Sequence, residues 1–359
     1  MDFERGPLLA HLHGGTIGWI TLSALAAGLR LFAPERAGDG ERGVVRWLTY
    51  LAMGAAAVYV AAFFATTGPL RSLFGTLTML AITGFALWII ARSRTATLSV
   101  PHLGILAAMV SAVIGAILGV LLGLKIAFDI QSMPVGIGEA HPAMMVVGFL
   151  YPLGMAFIEW TLDPASVTRR ATLAGRLQIA LPFLGGLVLA TSILFGIAAL
   201  APLSLIGQIA GLAIMLVRLF PALMRVRLFD RSTARHGLVA SIFLVINLVL
   251  LVYLIANYVD NFAAAPRPLF LTLDHTIFVG VMTNGILVFA ALLSERARPA
   301  WFDHVIFWGV TLGLSGFVAG LLLDEVMLTR TFTPILGATL LLAIAVHTMG
   351  LRGSANTAR

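Results

Sequence analysis

Long apolar stretches separated by short polar breaks dominate this chain and leave no room for a soluble domain. A membrane-spanning helix needs about 20 apolar residues, and about eleven stretches approach that length. Numbered as segments 1 to 11, they cover residues 13–29, 47–64, 73–90, 103–123, 142–158, 179–200, 205–220, 238–256, 276–293, 305–323 and 335–350. The pattern predicts an all-α, polytopic membrane bundle of eleven to twelve transmembrane helices, forming a single integral membrane domain over residues 1–359.

The composition agrees with this class and excludes several kinds of site. Hydrophobic residues make up 60% of the chain and charged residues 11%, against about 45–50% and 25% in soluble domains. Cysteine is absent, which excludes disulfides, thiolate metal sites, iron–sulfur clusters and covalently attached c-type haem. Any metal or cofactor must therefore be held by histidine, methionine, carboxylate or backbone groups.

The basic residues indicate how the chain is oriented. Eighteen of the 23 Lys and Arg residues lie on the breaks that follow odd-numbered segments. The opposite side carries Arg5, Arg71, Lys125, Arg267 and Arg330. Cytoplasmic loops carry the excess of Lys and Arg, so we expect the N-terminus outside and the C-terminus in the cytoplasm, most naturally in a bacterial inner membrane. The net charge of +7 is then a topology signal, and we expect membrane lipid rather than nucleic acid as partner.

With this orientation the eight histidines form two groups of four. His102, His236, His304 and His347 lie toward the cytoplasm, beside Arg-rich breaks where we expect structural roles. His11, His13, His141 and His275 lie at the outer side, near the starts of segments 1, 5 and 9. Histidine and other ionisable residues are rare within membrane spans and usually face the bundle interior. A glycine follows each of His11, His141 and His275 within two helical turns, which leaves space beside a ligand.

An outer-side histidine on every fourth segment resembles the catalytic subunit of the haem-copper oxidase superfamily. That family has a twelve-helix, pseudo-threefold bundle with ligands on its second, sixth and tenth helices, which match segments 1, 5 and 9 if the first helix is missing. His13-Gly14 resembles its low-spin haem motif, and His141-Pro142 resembles the start of its copper-ligand helix. The resemblance implies the same bundle arrangement over the whole chain, and it implies that Arg330 pairs with haem propionates.

The chain also departs from that family. Segment 6 has no His-His pair, Met145 stands where the family has a cross-linking tyrosine, and segment 9 carries the single His275 instead of a His-x-His. A His-x-His occurs instead in segment 1, where HLHGGTIGW resembles the tenth-helix motif of cbb-type oxidases. The stand-alone NnrS-like haem- and copper-containing membrane proteins offer an alternative resemblance of similar size.

The most concrete chemistry is a b-type haem held between two segments. We expect His13 and His275 as axial ligands, because both are imidazoles at similar depth. Arg330 would neutralise the haem propionates, with Arg267 and Lys125 as alternatives. Asp274 is interpreted as a helix N-cap, since successive helical residues diverge by about 100°.

The remaining outer residues allow a second site. Met144 and Met145 follow His141 on one helical face, and imidazole with thioether suits Cu(I). We therefore consider copper held by histidines and methionines of the outer layer as a possible second cofactor, with His11, His13, His141, His275, Met144 and Met145 as the candidate ligands. Alternatively, His11 or His141 ligates a second haem or lines a pocket for NO or O₂.

Three functions follow from these residues. The first is a haem protein of electron transfer or of NO or O₂ chemistry or sensing, receiving electrons from a quinol or a cytochrome. The second is a metal-ion or solute transporter whose outer histidines form an entry site. The third is a non-catalytic assembly subunit with remnant histidines. The mid-membrane residues Gln178, Gln208, Asn247 and Asn284 are interpreted as hydrogen-bonding groups between helices.

Overall fold

Helices are the main secondary structure of the described chain, and they satisfy the backbone hydrogen bonds that lipid cannot. The computed structural model describes residues 5–32, 38–65, 68–293 and 300–357. For residues 5, 39, 300 and 350–357 it describes the backbone only. Within these ranges there is no strand, and eleven helices are long and apolar enough to cross a membrane. Lipid offers no hydrogen bonds, so each span satisfies its own backbone groups. The predicted helical class and the eleven apolar segments are confirmed, whereas the arrangement of the haem-copper oxidases stays a prediction.

Eight segments are single helices, and three are built from joined pieces. Segments 2, 3, 4, 6, 7, 8, 10 and 11 are the helices Asp39–Ala65, Pro69–Ser93, Val100–Phe128, Leu173–Phe195, Ala201–Leu223, Ala234–Tyr258, Ala300–Leu322 and Val326–Thr357. Segments 1, 5 and 9 span Gly6–Phe32, Ile137–Leu162 and Arg267–Leu293. Each of these three begins upstream of the predicted start, because the polar residues around its histidine lower the local hydropathy. Short 3₁₀ turns at Pro164–Thr168, Ala198–Leu200 and Phe262–Ala264 connect neighbouring helices.

Local sequence signals explain where several helices begin and end. The Ser99 side chain caps segment 4 by accepting a hydrogen bond from the backbone N–H of His102 at 3.4 Å. Thr172 caps segment 6 in the same way, accepting from Gly175 N–H at 3.2 Å. Segment 6 ends at Gly196, whose φ of 67° is the left-handed conformation that glycine adopts without strain.

By internal contacts the chain divides into two compact units. The first comprises residues 1–156 and 165–215, and the second comprises residues 157–164 and 216–359. In the first unit segment 4 packs against segments 3, 5 and 6, and segment 1 packs against segment 2. In the second unit segments 10 and 11 form the most extensive pair, and segment 8 packs against segment 9. That residues 1–359 form a single membrane domain stays a prediction.

Glycines set how closely the helices approach in both units. In the first unit, a Cβ at Gly186 of segment 6 would collide with the backbone of Gly148 in segment 5. In the second unit, segment 10 presents Gly309, Gly313, Gly316 and Gly320 to segment 11. Small residues are typical of membrane helix contacts because they let backbones pack together.

We predict that Gly186→Ala destabilises the protein by about 1–3 kcal/mol, since the added methyl has only backbone to displace. Gly337→Ala is the matched control, because no atom lies within 4 Å of the Cβ it would add to segment 11. Alanine is the better helix former by about 1 kcal/mol, so this control should unfold at an unchanged or higher temperature. Thermal unfolding of both variants in detergent checks this, and equal midpoints would contradict the close contact.

Candidate cofactor site

His13 is held in a fixed orientation by one hydrogen bond and two aromatic rings. It ends the helix Arg5–His13, and its Nδ1 donates to the carbonyl of Leu9 at 2.8 Å. Its ring stacks on Phe63 with centroids 4.3 Å apart, and the edge of Tyr59 is 5.5 Å away. A carbonyl oxygen only accepts, so the proton is on Nδ1. The lone pair is then on Nε2, as in a metal-ligating imidazole.

His141 adopts the same tautomer through a contact between helices. Its Nδ1 donates to the carbonyl of Gly115 in segment 4 at 2.8 Å. The ring lies over Gly119, where a Cβ would come within 2.8 Å of the imidazole Cε1. His13 and His141 belong to the same unit and lie within electrostatic range of one another.

His275 repeats the arrangement of His13 in the second unit. It ends the helix Arg267–His275, and its Nδ1 donates to the carbonyl of Leu271 at 2.7 Å. Its ring packs on Phe317 of segment 10, with centroids 4.7 Å apart. Since His275 and His13 lie in different units, their pairing as axial ligands stays a prediction.

A π-helical segment lies at the same place in segments 1, 5 and 9. Gly14–Thr21 directly follows His13, Thr276–Thr283 directly follows His275, and Met144–Leu150 begins three residues after His141. π-helical turns are rare and occur frequently at functional sites. They recur at every fourth segment, next to each partly buried outer histidine, which distinguishes these three segments from the others that the structure describes.

Hydroxyl groups donate to carbonyls of the widened helices. Thr21 donates to the carbonyl of Thr16 at 2.8 Å, and Thr283 donates to that of Phe278 at 3.0 Å, five residues back in both cases. In segment 5 the carbonyl of Gly148 accepts from Ser111 of segment 4 at 2.6 Å. A local cause in segment 5 is Pro142, which has no N–H to continue the α-helical pattern.

The remaining predicted copper ligands are His11, Met144 and Met145, and their surroundings do not favour metal binding. His11 is exposed in the first helix. Met144 packs against Gly148, and Met145 packs against Gly115, so both thioethers fill space beside glycines. In the part of the chain that the structure describes, no three His, Asp or Glu side chains come together as a metal site. These contacts give the copper prediction no support.

The basic residues predicted to bind propionates occupy different surroundings. Arg330 is exposed near the start of segment 11, and Arg267 is exposed at the first residue of segment 9. Lys125 instead donates to the carbonyl of Pro134 at 3.0 Å in the loop between segments 4 and 5. Lys125 thus stabilises this loop.

Arg71 is a further candidate for binding a propionate, although its sequence context indicates only a charge on the outer side. Its guanidinium lies 4.4 Å from the centroid of the Phe63 ring, the same ring that stacks on His13. It also lies within electrostatic range of His13. The available signal was that Arg71 is one of only five basic residues on the outer side.

Asp274 is not a helix N-cap, so that interpretation is wrong. The helix that contains it begins at Arg267 and continues past it, which places Asp274 next to the end of the α-helical part. The early start follows from Pro266 and Pro268, since proline is favoured in the first turn of a helix.

Buried amides connect segments as predicted for three of the four mid-membrane residues. Gln208 donates to the carbonyl of Pro182 at 2.8 Å, and the Asn284 side-chain oxygen accepts from His236 Nδ1 at 2.7 Å. Asn247 of segment 8 donates to the carbonyl of Leu273 at 2.7 Å and to the hydroxyl of Thr276 at 2.8 Å. Because those two residues flank His275 closely, Asn247 fixes the backbone turn that carries this histidine.

We predict that Asn247→Leu destabilises the second unit by about 1–3 kcal/mol, because the carbonyl of Leu273 loses a buried donor. Asn257→Leu is the control, since Asn257 is exposed on the same helix and bonds only within it. Unfolding midpoints in detergent measure the difference. Equal midpoints for the two variants would show that the Asn247 bonds do not stabilise this turn.

Comparisons with protein-family models, with curated proteins and with solved structures found no match to this chain.

Proposed function

We propose that this chain is an integral membrane protein that binds b-type haem through the histidines of its outer layer. One observation supports this most directly. Each π-helical segment follows a histidine that donates Nδ1–H to a backbone carbonyl. These histidines are His13, His141 and His275. This bond orients the ring and leaves Nε2 as the coordinating nitrogen, which is the arrangement that haem iron requires of an axial imidazole.

In this proposal His13 and His275 would hold the haem iron, and His141 would line the pocket or replace one of them. Arg71 joins Arg330 and Arg267 as a partner for the propionates, because it lies beside the ring that packs on His13. The aromatic rings of Tyr59, Phe63 and Phe317 contact the imidazoles and limit the access of water to them.

A bound haem would supply a one-electron centre and, where only one histidine holds the iron, a binding place for a small gas. We therefore propose electron transfer, or NO or O₂ chemistry or sensing, with a quinol or a cytochrome as electron donor. The proposed orientation has the N-terminus outside and the C-terminus in the cytoplasm of a bacterial inner membrane. Recurrence of the π-helical segments every fourth span supports a threefold arrangement like that of the haem-copper oxidases.

Absorption spectra of the full chain, purified from haem-replete cells, test the proposal. We expect a Soret band and, on reduction, sharp α bands of low-spin haem. His13→Gly and His275→Gly should each lose these bands because the iron loses a ligand. Free imidazole added to His13→Gly should restore them, which a merely structural role of His13 would not produce.

His11→Ala is the matched control for these variants. His11 lies two residues before His13 on the same helix, so it points about 200° away, and it is exposed. The spectrum of this variant should equal that of the unchanged protein. A colourless preparation would overturn the proposal and leave transport or assembly as the function, whereas equal loss in His11→Ala and His13→Gly would overturn the ligand assignment.

A further inference from the structure

A polar cavity lies within the second unit, on the side where the basic residues cluster. It has a volume of about 180 Å³, and its polar wall includes Arg231, Arg235, His236, Asp303 and His347. One water molecule needs about 10–15 Å³ of such space, so the cavity has room for a small polyatomic ion with water. The cavity is not sealed, because the Arg231 side chain is 49% exposed.

Arg235 is a buried cation whose direct partners are uncharged. The residue is 1% exposed, and its guanidinium donates to the carbonyl of Asp303 at 2.6 Å and to His304 Nδ1 at 3.1 Å. The guanidinium also lies 4.3 Å from the centroid of the Phe307 ring. Its Nε is buried with no hydrogen-bond partner among the described residues. A buried charge is stable only when it is paired and its hydrogen bonds are satisfied.

The wall does not supply enough negative charge for both arginines. Asp303 is the one carboxylate among the described lining residues, and its Oδ2 accepts from Arg231 at 2.8 Å. The described lining therefore holds two guanidinium groups and one carboxylate, an excess of positive charge. His236 does not correct this, because its Nδ1 donates to the side-chain oxygen of Asn284.

We propose that this cavity binds a phosphate group, with Arg235 and Arg231 as its two cationic ligands. Guanidinium groups match phosphate because they present parallel N–H donors to two oxygens. Ser232 and Thr233 add hydroxyls to the same wall. The phosphate is either the inorganic ion or the headgroup of an anionic lipid of the cytoplasmic leaflet. This site is independent of the haem proposal.

The test uses the full chain in detergent and follows its unfolding temperature. Inorganic phosphate is titrated against chloride at equal ionic strength, and phosphatidylglycerol is compared with phosphatidylcholine in mixed micelles. We expect one phosphate source to raise the unfolding temperature saturably. Arg231→Gln should weaken that response about tenfold or more in midpoint concentration. Arg235→Met, which replaces the buried charge by an apolar chain of similar length, should abolish it.

Arg225→Gln is the matched control, because Arg225 is an exposed arginine of the same basic break and does not line the cavity. Its response should equal that of the unchanged protein. A response to inorganic phosphate identifies the free ion as ligand, and a response to phosphatidylglycerol alone identifies the lipid headgroup. No response to either source, an equal response to chloride, or equal weakening in Arg225→Gln and Arg231→Gln would overturn the proposal.

Discussion

The backbone hydrogen bond in a solvent that offers none is the constraint on which this structure depends. Lipid makes an unpaired carbonyl or N–H expensive, so the chain is helical through all eleven segments. Where three of these helices widen into π-helical turns, Thr21, Thr283 and Ser111 place hydroxyls on the affected carbonyls. The π-helical turns thus have hydroxyl donors on some of their carbonyls, and these turns follow His13, His141 and His275 along the chain.

The same constraint explains why the polar residues divide into two kinds. Side-chain amides such as those of Gln208 and Asn247 donate to backbone carbonyls of neighbouring helices and hold the helices together. His102 belongs with them, because Ser99 Oγ and the carbonyl of Leu31 bond both of its ring nitrogens. Arg235 differs from these residues, because its buried Nε has no hydrogen-bond partner among the described residues.

The number of segments and the layer of outer histidines could be predicted because hydropathy and charge are properties of the local sequence. The helix starts could not, since segments 1, 5 and 9, like segments 2 and 11, begin well before their apolar stretches in residues that score as polar. The π-helical turns were missed because a period of 3.6 was assumed throughout. Arg71 and the cavity around Arg235 depend on which helices pack together, and no local pattern encodes this.

Lys125 is the single lysine of the chain, and its ammonium group donates to the carbonyls of Met133 and Pro134. The last turn of segment 4, next to the loop that leads to segment 5, therefore carries the one side-chain amine that an acylating reagent can modify. A membrane-impermeant reagent applied to intact cells or to inverted vesicles would consequently report, from one atom, which face of the membrane this loop occupies. Because the loop leads into the helix of His141, the same label would also reveal whether neutralising that ammonium alters the outer histidine layer.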